Sequence, residues 1–398
     1  MKRVVVTGLG MVTSAGINKI ETWRKVSSLE CALKKSNFAK TNFNGLVDET
    51  FNSGLSTRDK KYMDKVTQFA IVATQEAMDD CGLVLKDDLN TNVAVFIGTS
   101  VGGIETFTEE ALKELEKISV LSMIKSLPNM VAANLSMRHR VHGGAYTYSS
   151  ACASGAVAIG EAFLKIKNGE IDCAIVGGSE ACVTEQITES FKRLRILSST
   201  TELNEACVPF SIRRSGFVLS EASAILVLES LESANERNAP IYAEIAGYGS
   251  TSDAHSLTSL DQGGIERCMK KAVNSAFLDI TDIGYINAHG TATANNDKVE
   301  ADAIKNIFPN NPLVSSTKSI LGHSLGASGA VEAALCCLMI KDGIIIPTIN
   351  VRDEDVDPNI HANLLLNKTV PYGGLAILSN SFAFGGNNVS LLFKKLNE

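Results

Sequence analysis

The five residues ASGAV occur twice, at 153–157 and again at 327–331. Their separation of 174 positions also relates Lys167-Asn168-Gly169 to Lys341-Asp342-Gly343. Two matches in one register point to an internal duplication, each copy a helix that opens at a small-residue turn and ends at a glycine cap. Small residues allow close backbone approach, so the two helices are expected side by side in the middle of the molecule. The copies differ at the turn itself: Cys152 of the first corresponds to Gly326 of the second. One half carries a candidate nucleophile and the other a bare turn.

The surrounding pattern is strand–helix alternation. Short β-rich runs stand at 4–10, 93–100, 173–181, 224–230, 241–249, 285–291 and 376–386, several leaving through Gly or Asn. Between them lie stretches such as TQFAIVATQEAMDDCGL (67–83), apolar at helical spacing. This predicts an α/β layered fold. A chain of 398 residues, 45% hydrophobic with 8 prolines, has material for two fused units and little for disorder.

Charge and cysteine usage exclude several classes. With 37 Lys and Arg against 44 Asp and Glu, the net charge is -7, which argues against nucleic-acid binding by bulk charge. Nine cysteines at irregular spacing, without CxxC, form neither a disulfide framework nor a zinc pattern, and fit a reducing cytoplasm. The basic start Met1-Lys2-Arg3 looks like a secretion signal, but Thr7, Gly8 and Gly10 interrupt the apolar run that follows, which reads as a buried strand. The uncharged run Val141–Gly160 is rich in Gly, Ser, Thr and Tyr, so no membrane span is expected.

Five motifs could carry chemistry. GLG at 8–10 lacks the third glycine of a dinucleotide loop, since position 13 is Thr, and reads as structure. SSACASG (149–155) places Cys152 where a helix opens. Unpaired N–H groups and the helix dipole there favour thiolate and could hold an oxyanion. NAHGTATANND (287–297) and STKSILGHSLGASGAVE (316–332) put His289 and His323 in Gly-rich turns. His323 directly precedes the second repeat helix, so the duplication brings Cys152, His289 and His323 to one centre. Two histidines could hold a metal, but neither HExxH nor a third ligand at helical spacing is present, and no metal or cofactor is expected. NSFAFGGNN (380–388) has Phe382 and Phe384 around a small residue, with Gly385 and Gly386 as a hinge for an aromatic gate. A plain turn after a last strand is the alternative.

With these motifs in order, the sequence resembles the elongating β-ketoacyl-[acyl-carrier-protein] synthases, the type II branch and the related type II polyketide ketosynthases most closely. The likeness runs from VVVTGLGMVT to NSFAFGGNN and the closing SLLFKKL. It implies a thiolase fold of duplicated halves in five α-β-α-β-α layers. Residues 1–240 would carry the nucleophile, and 241–398 the histidine pair and gating loop. The implied reaction is decarboxylative Claisen condensation: an acyl group moves from acyl-carrier protein to Cys152, and the enolate of malonyl-carrier attacks it.

The resemblance also assigns roles. His289 and His323 match the enolate-stabilising pair, Lys318 a lysine that orders them, and Glu332 a neighbouring structural carboxylate. Cys152 and Phe384 match the oxyanion-hole N–H donors, Phe384 also the gate. Thr291 and Thr293 match pantetheine contacts, and Phe191, Val101 and Phe382 the substrate pocket. Arg58, Lys60, Lys61, Lys117 and Arg195 fall where the family docks its acidic carrier, although Glu116 takes one expected arginine position; plain solvated charge is the competing reading for each. A cytoplasmic homodimer is implied, a heterodimer with a chain-length factor being the alternative.

Departures bear on specificity. The usual GFGG is Ala383-Phe384-Gly385-Gly386, predicting a stiffer gate, Asn387-Asn388 replaces Thr-Asn, and SGFVLSEAS (215–223) loses one acid and two glycines. None touches the Cys-His-His set. A thiolase would need a second C-terminal cysteine, and an initiating synthase an Asn in place of His323. A chain-length factor would lack Cys152.

Overall fold

The computed structural model describes residues 1–37, 42–85 and 90–396. The duplication is written into its sheet. In the first half lie strands β1 (Val4–Thr13), β2 (Val93–Gly98), β3 (Ala145–Tyr148), β4 (Cys173–Glu180) and β5 (Ala222–Ser230). In the second lie β6 (Ala243–Ser252), β7 (Ile283–Asn287), β8 (Leu313–Ser315), β9 (Asn363–Leu364), β10 (Ala376–Ala383) and β11 (Asn387–Lys394). Outward from the join the order is β1-β5-β4-β2-β3 in one half and β6-β11-β10-β7-β8 in the other, with β9 added at the far edge. Each half runs antiparallel, antiparallel, parallel, parallel. The halves meet where Val4–Val6 pair with Ala243–Ile245.

Helices complete the layers. The principal ones are α1 (Lys65–Cys81), α2 (Met130–His139), α3 (Ser154–Lys167), α4 (Gln262–Ser275), α5 (Ala294–Ile307) and α6 (Ser328–Asp342). Strand side chains alternate between faces. Ala94 and Phe96 of β2 join the central core with α3 and α6, while Val95 and Ile97 pack outward against α1 and α2. Ile377 of β10 likewise faces the centre, whereas Ala376 and Leu378 face α4 and α5. The result is α1 and α2, sheet, α3 and α6, sheet, α4 and α5: five layers.

The repeat helices α3 and α6 lie together in the middle, as expected. A Cβ on Gly155 would stand 2.9 Å from the Gly326 carbonyl oxygen, an approach only glycine permits. From Ser328 to Ile340 every residue of α6 is buried, so that helix shows no polar face to solvent. Gly343 caps α6 at φ +65°, and Gly169, just past α3, takes φ +78°. All seven β-rich runs of the sequence contain a strand. The short strands β3, β8 and β9, and the last strand β11, were not among them.

Candidate active site

Cys152 occupies the turn between β3 and α3. The residue before it, Ala151, is held at φ +46°, in the left-handed region where side chains are strained. Its carbonyl accepts from Ser154 Oγ at 2.6 Å and from Ser100 Oγ at 2.9 Å, and Ser154 Oγ accepts in turn from the Ser150 N–H at 2.9 Å. This net of hydroxyls is what makes the turn tenable.

His323 comes from the loop before α6. Its N–H donates to the Val218 carbonyl at 2.8 Å, and its own carbonyl accepts from the Ser220 N–H at 3.0 Å, so the backbone is pinned on both sides. Its Nε2 lies 3.1 Å from Cys152 Sγ, and its Nδ1 lies 2.9 Å from Ser328 Oγ. Phe217 packs edge-on to its ring at 5.0 Å. His289, leaving β7, stands with its ring centroid 5.4 Å from that of His323 and nearly perpendicular to it. The His289 and Gly290 N–H groups each donate at 2.9 Å to one oxygen of Glu300 on α5. Lys318 Nζ is 3.5 Å from His289 Nδ1 and pairs with Glu332 on α6.

These contacts set protonation. Lys318 has no lone pair, so His289 Nδ1 accepts and its Nε2 carries the proton. Burial, reinforced by the Lys318 cation, holds both imidazoles well below the usual histidine range, so they are neutral at working pH. Burial also pushes the Glu332 carboxyl up to about 7 against the pull of Lys318. The thiolate expected from the helix terminus is corrected here. Burial pushes the Cys152 thiol up to about 12, more than the Lys318 ammonium and the N–H groups of Cys152 and Phe384 pull it down. Those two N–H groups nonetheless both address the sulfur. Resting Cys152 is therefore a thiol, with a neutral base at hydrogen-bonding distance.

Cys152, His289 and His323 line one cavity of about 640 Å³, its open mouth included. Thr291, Thr293, Phe382 and Phe384 line it too, along with Ile196, Thr258, Leu260 and Ala383. The two threonine hydroxyls lie 2.9 Å apart. Phe384 is 37% exposed at the surface of the protein. Phe191 and Val101 are not in this lining. Phe191 sits behind Phe217 at 5.7 Å, and half-buried Val101 packs on the central core. The Cys and His donor atoms all fall within 4.8 Å of one another, close enough for a metal ion, but the Lys318 ammonium beside His289 opposes a further cation.

Of the basic residues, Arg58, Lys60 and Lys61 are exposed on one short helix, Thr57–Tyr62, with Arg58 and Lys61 flanking the Tyr62 ring at 5.9 and 5.6 Å. Lys117 is exposed but paired with Glu114 at 2.8 Å. Arg195 is exposed, at φ +60°, directly before the cavity residue Ile196.

Comparison with known families decides what this arrangement is. The model described as beta-ketoacyl synthase, N-terminal domain, matches residues 1–234, and its C-terminal counterpart matches 242–352. The chain belongs to the β-ketoacyl synthase family. A curated relative from Staphylococcus aureus (strain N315), 3-oxoacyl-[acyl-carrier-protein] synthase 2, is 37% identical over 99% of this chain and 98% of its own. Among solved structures, the ishigamide ketosynthase/chain length factor superposes with TM-score 0.93 at 31% identity, each chain fully covered. A type II PKS acyl-carrier protein in complex with its ketosynthase bound to the hexaketide gives TM-score 0.91 at 30% identity, again with full coverage of both chains. Similarity over the whole length establishes the thiolase fold of this family member.

Sequence reading missed three members of the site. Glu300 holds the His289 backbone, Ser328 orients His323, and Phe217 walls it. Ser328 had a signal, being the serine of the second ASGAV, the counterpart of Ser154.

Proposed function

We propose that this protein is an acyltransferase that extends a carrier-bound acyl chain by decarboxylative condensation with malonyl-carrier protein, in fatty-acid elongation. The observation that carries the reading is the Nε2–Sγ contact of 3.1 Å inside a cavity that also presents Phe384 and the threonine pair. As the acyl thioester approaches, Cys152 gives its proton to neutral His323, whose Nδ1–H then donates to Ser328. The sulfur bonds to the acyl carbon, the N–H groups of Cys152 and Phe384 receive the transient oxyanion, and the carrier thiol leaves with the proton that His323 took from Cys152, which returns His323 to its neutral form. Malonyl-carrier then loses CO2. The Nε2–H of His289 donates to the enolate oxygen, and His323 joins it after its single ring proton exchanges through solvent from Nδ1 to Nε2, the Ser328 hydroxyl then donating to the bare Nδ1. The carbanion attacks the acyl-Cys152 carbon, the C–S bond breaks, and the β-ketoacyl-carrier departs while the Cys152 thiolate takes up one proton from solvent, the proton that loss of CO2 from the malonyl carboxylate consumes.

Lys318 with Glu332 orders His289. Thr291 and Thr293 take the phosphopantetheine arm, Phe384 gates the cavity, and Phe382, Phe191 and Val101 border the acyl chain, the last two from outside the present lining. Arg58, Lys60, Lys61, Lys117 and Arg195 face the carrier. We read the chain as halves 1–240 and 241–398, assembled as a homodimer. A cytoplasmic location is supported by nine unbridged cysteines, and among the described residues no helix is long and apolar enough to cross a membrane.

A second reading is supported by Ala383 in the gate and by the ketosynthase structures above: an iterative polyketide or polyene ketosynthase paired with a chain-length factor. Reconstitution with a fatty-acid carrier protein and malonyl groups, products read by mass spectrometry, separates the two. Saturable single condensation by the protein alone supports elongation. Activity that appears only with an added partner subunit supports the second reading.

A further inference from the structure

The duplication gives the nucleophile a counterpart position, and that position is filled. Strands β4 and β10 hold the same place in their half-sheets, each has 8 residues, and each ends facing a repeat turn. Their last residues are Glu180 and Ala383. At the working turn, small Ala383 leaves the cavity beside Cys152 open. At the counterpart turn, the Gly326 N–H donates to Glu180 Oε2 at 3.1 Å. The same oxygen accepts from the Ser100 N–H at 2.7 Å, and Oε1 accepts from Thr99 Oγ1 at 3.1 Å. A Cβ at position 326 would lie 2.4 Å from the Ser100 nitrogen and 2.6 Å from Glu180 Oε2, so no side chain could stand there. The carboxylate sits where the second half would otherwise receive an oxyanion.

Ser100 connects the two turns. Its N–H is fixed by Glu180, and its hydroxyl donates to the strained carbonyl of Ala151, the residue before Cys152. The structure assigns Glu180 as a positioning residue for the nucleophile: by occupying the duplicate of the acyl site it fixes Ser100, which holds the Cys152 turn in its reactive shape. Glu180 also acts through space. Around Cys152 stand Lys318, His289, His323, Cys182 and Glu180; burial is what chiefly favours the protonated thiol, and Glu180, whose own carboxyl is pushed above the usual range by burial, adds to it in its ionised form.

The assignment rests on Cys152 as the acyl acceptor, and the test separates the two ideas. Glu180→Gln, Ser100→Ala and the double variant are compared with wild type for acyl transfer from acyl-carrier protein and for iodoacetamide alkylation of Cys152 across pH. Each single variant is expected to acylate about ten- to a hundred-fold more slowly, the cost of a slightly misplaced group. The double variant should be no slower than the worse single, because both act through one chain of contacts. In Glu180→Gln the alkylation profile should also move to lower pH, which a purely structural loss would not produce. Folded Glu180→Gln with wild-type acylation and profile, or additive losses, would overturn the assignment. If Glu180→Gln does not fold, Ser100→Ala alone decides, wild-type acylation counting against it. Alkylation needs no carrier, so normal alkylation of wild type without any acyl transfer would instead count against the acyl-acceptor reading.

Discussion

His323 Nε2 lies 3.1 Å from Cys152 Sγ, although the two residues are 171 positions apart and belong to different halves of the duplicated sheet. The contact is made where α3 and α6 begin, and the glycine-lined approach of those helices sets its length. Neither half holds a complete site.

The first prediction concerns pH. Burial pushes the Cys152 thiol up to about 12, so the thiolate fraction keeps rising throughout the alkaline range. Iodoacetamide alkylation should climb about tenfold per pH unit from pH 7 to pH 10, whereas an ordinary thiol would reach half its maximal rate at its pKa of about 8.5 and level off above it. Acyl transfer should show no loss as pH falls through 6.5, because both imidazoles lose their neutral form only well below that value. A half-maximal rate near pH 8.5, with a plateau by pH 10, would refute the protonation state given to Cys152.

Ser328→Ala removes the hydroxyl that lies 2.9 Å from His323 Nδ1. The imidazole then loses the hydroxyl that both accepts and donates as its tautomer changes. Acyl transfer and condensation should both fall by about ten- to a hundred-fold, with KM little changed, since the group acts in proton transfer. Steady-state kinetics of the purified variant read this directly.

Much of this was legible in the chain, and the limits have physical causes. The repeat announced both central helices, their closeness and the Cys152–Gly326 asymmetry, because small-residue spacing is a local property. Cys152, His289 and His323 stood out as reactive side chains in glycine-rich turns that apolar packing does not explain. Glu180 and Glu300 were silent, since the N–H groups that they satisfy come together only in the folded sheet. The thiolate expectation failed for a similar reason: a helix terminus can be read in sequence, but the burial that outweighs it cannot. Phe191, expected beside the acyl chain, backs Phe217, and the place of Phe217 between that helix residue and His323 has no periodic signature.

Glu300 should be felt in stability. Its carboxyl takes N–H groups from His289, Gly290 and the Asn380 side chain, so Glu300→Ala leaves buried donors unmet, at about 1–3 kcal/mol each. Burial pushes this carboxyl up to about 7, from an ordinary value of 4.5. The folded state thus binds the proton more tightly, and its stability should decline as pH rises between those values. Urea midpoints at pH 5 and pH 7.5 should show a smaller decline in Glu300→Gln than in wild type.

Carrier recognition should depend on charge at the exposed helix Thr57–Tyr62. Arg58→Glu with Lys61→Glu should raise KM for acyl-carrier protein several-fold, leave kcat unchanged and flatten the dependence of kcat/KM on salt. An unchanged KM and salt slope would place docking elsewhere.

The central claim is that Cys152 takes the acyl group and passes it on. Intact-protein mass spectrometry after incubation with a panel of acyl-carriers, followed by malonyl-carrier, tests it, with Cys152→Ala as control. The account predicts an acyl adduct on wild type alone, chased by malonyl-carrier into β-ketoacyl-carrier product. An adduct that persists in Cys152→Ala, or no adduct from any carrier while an authentic synthase labels beside it, would contradict it.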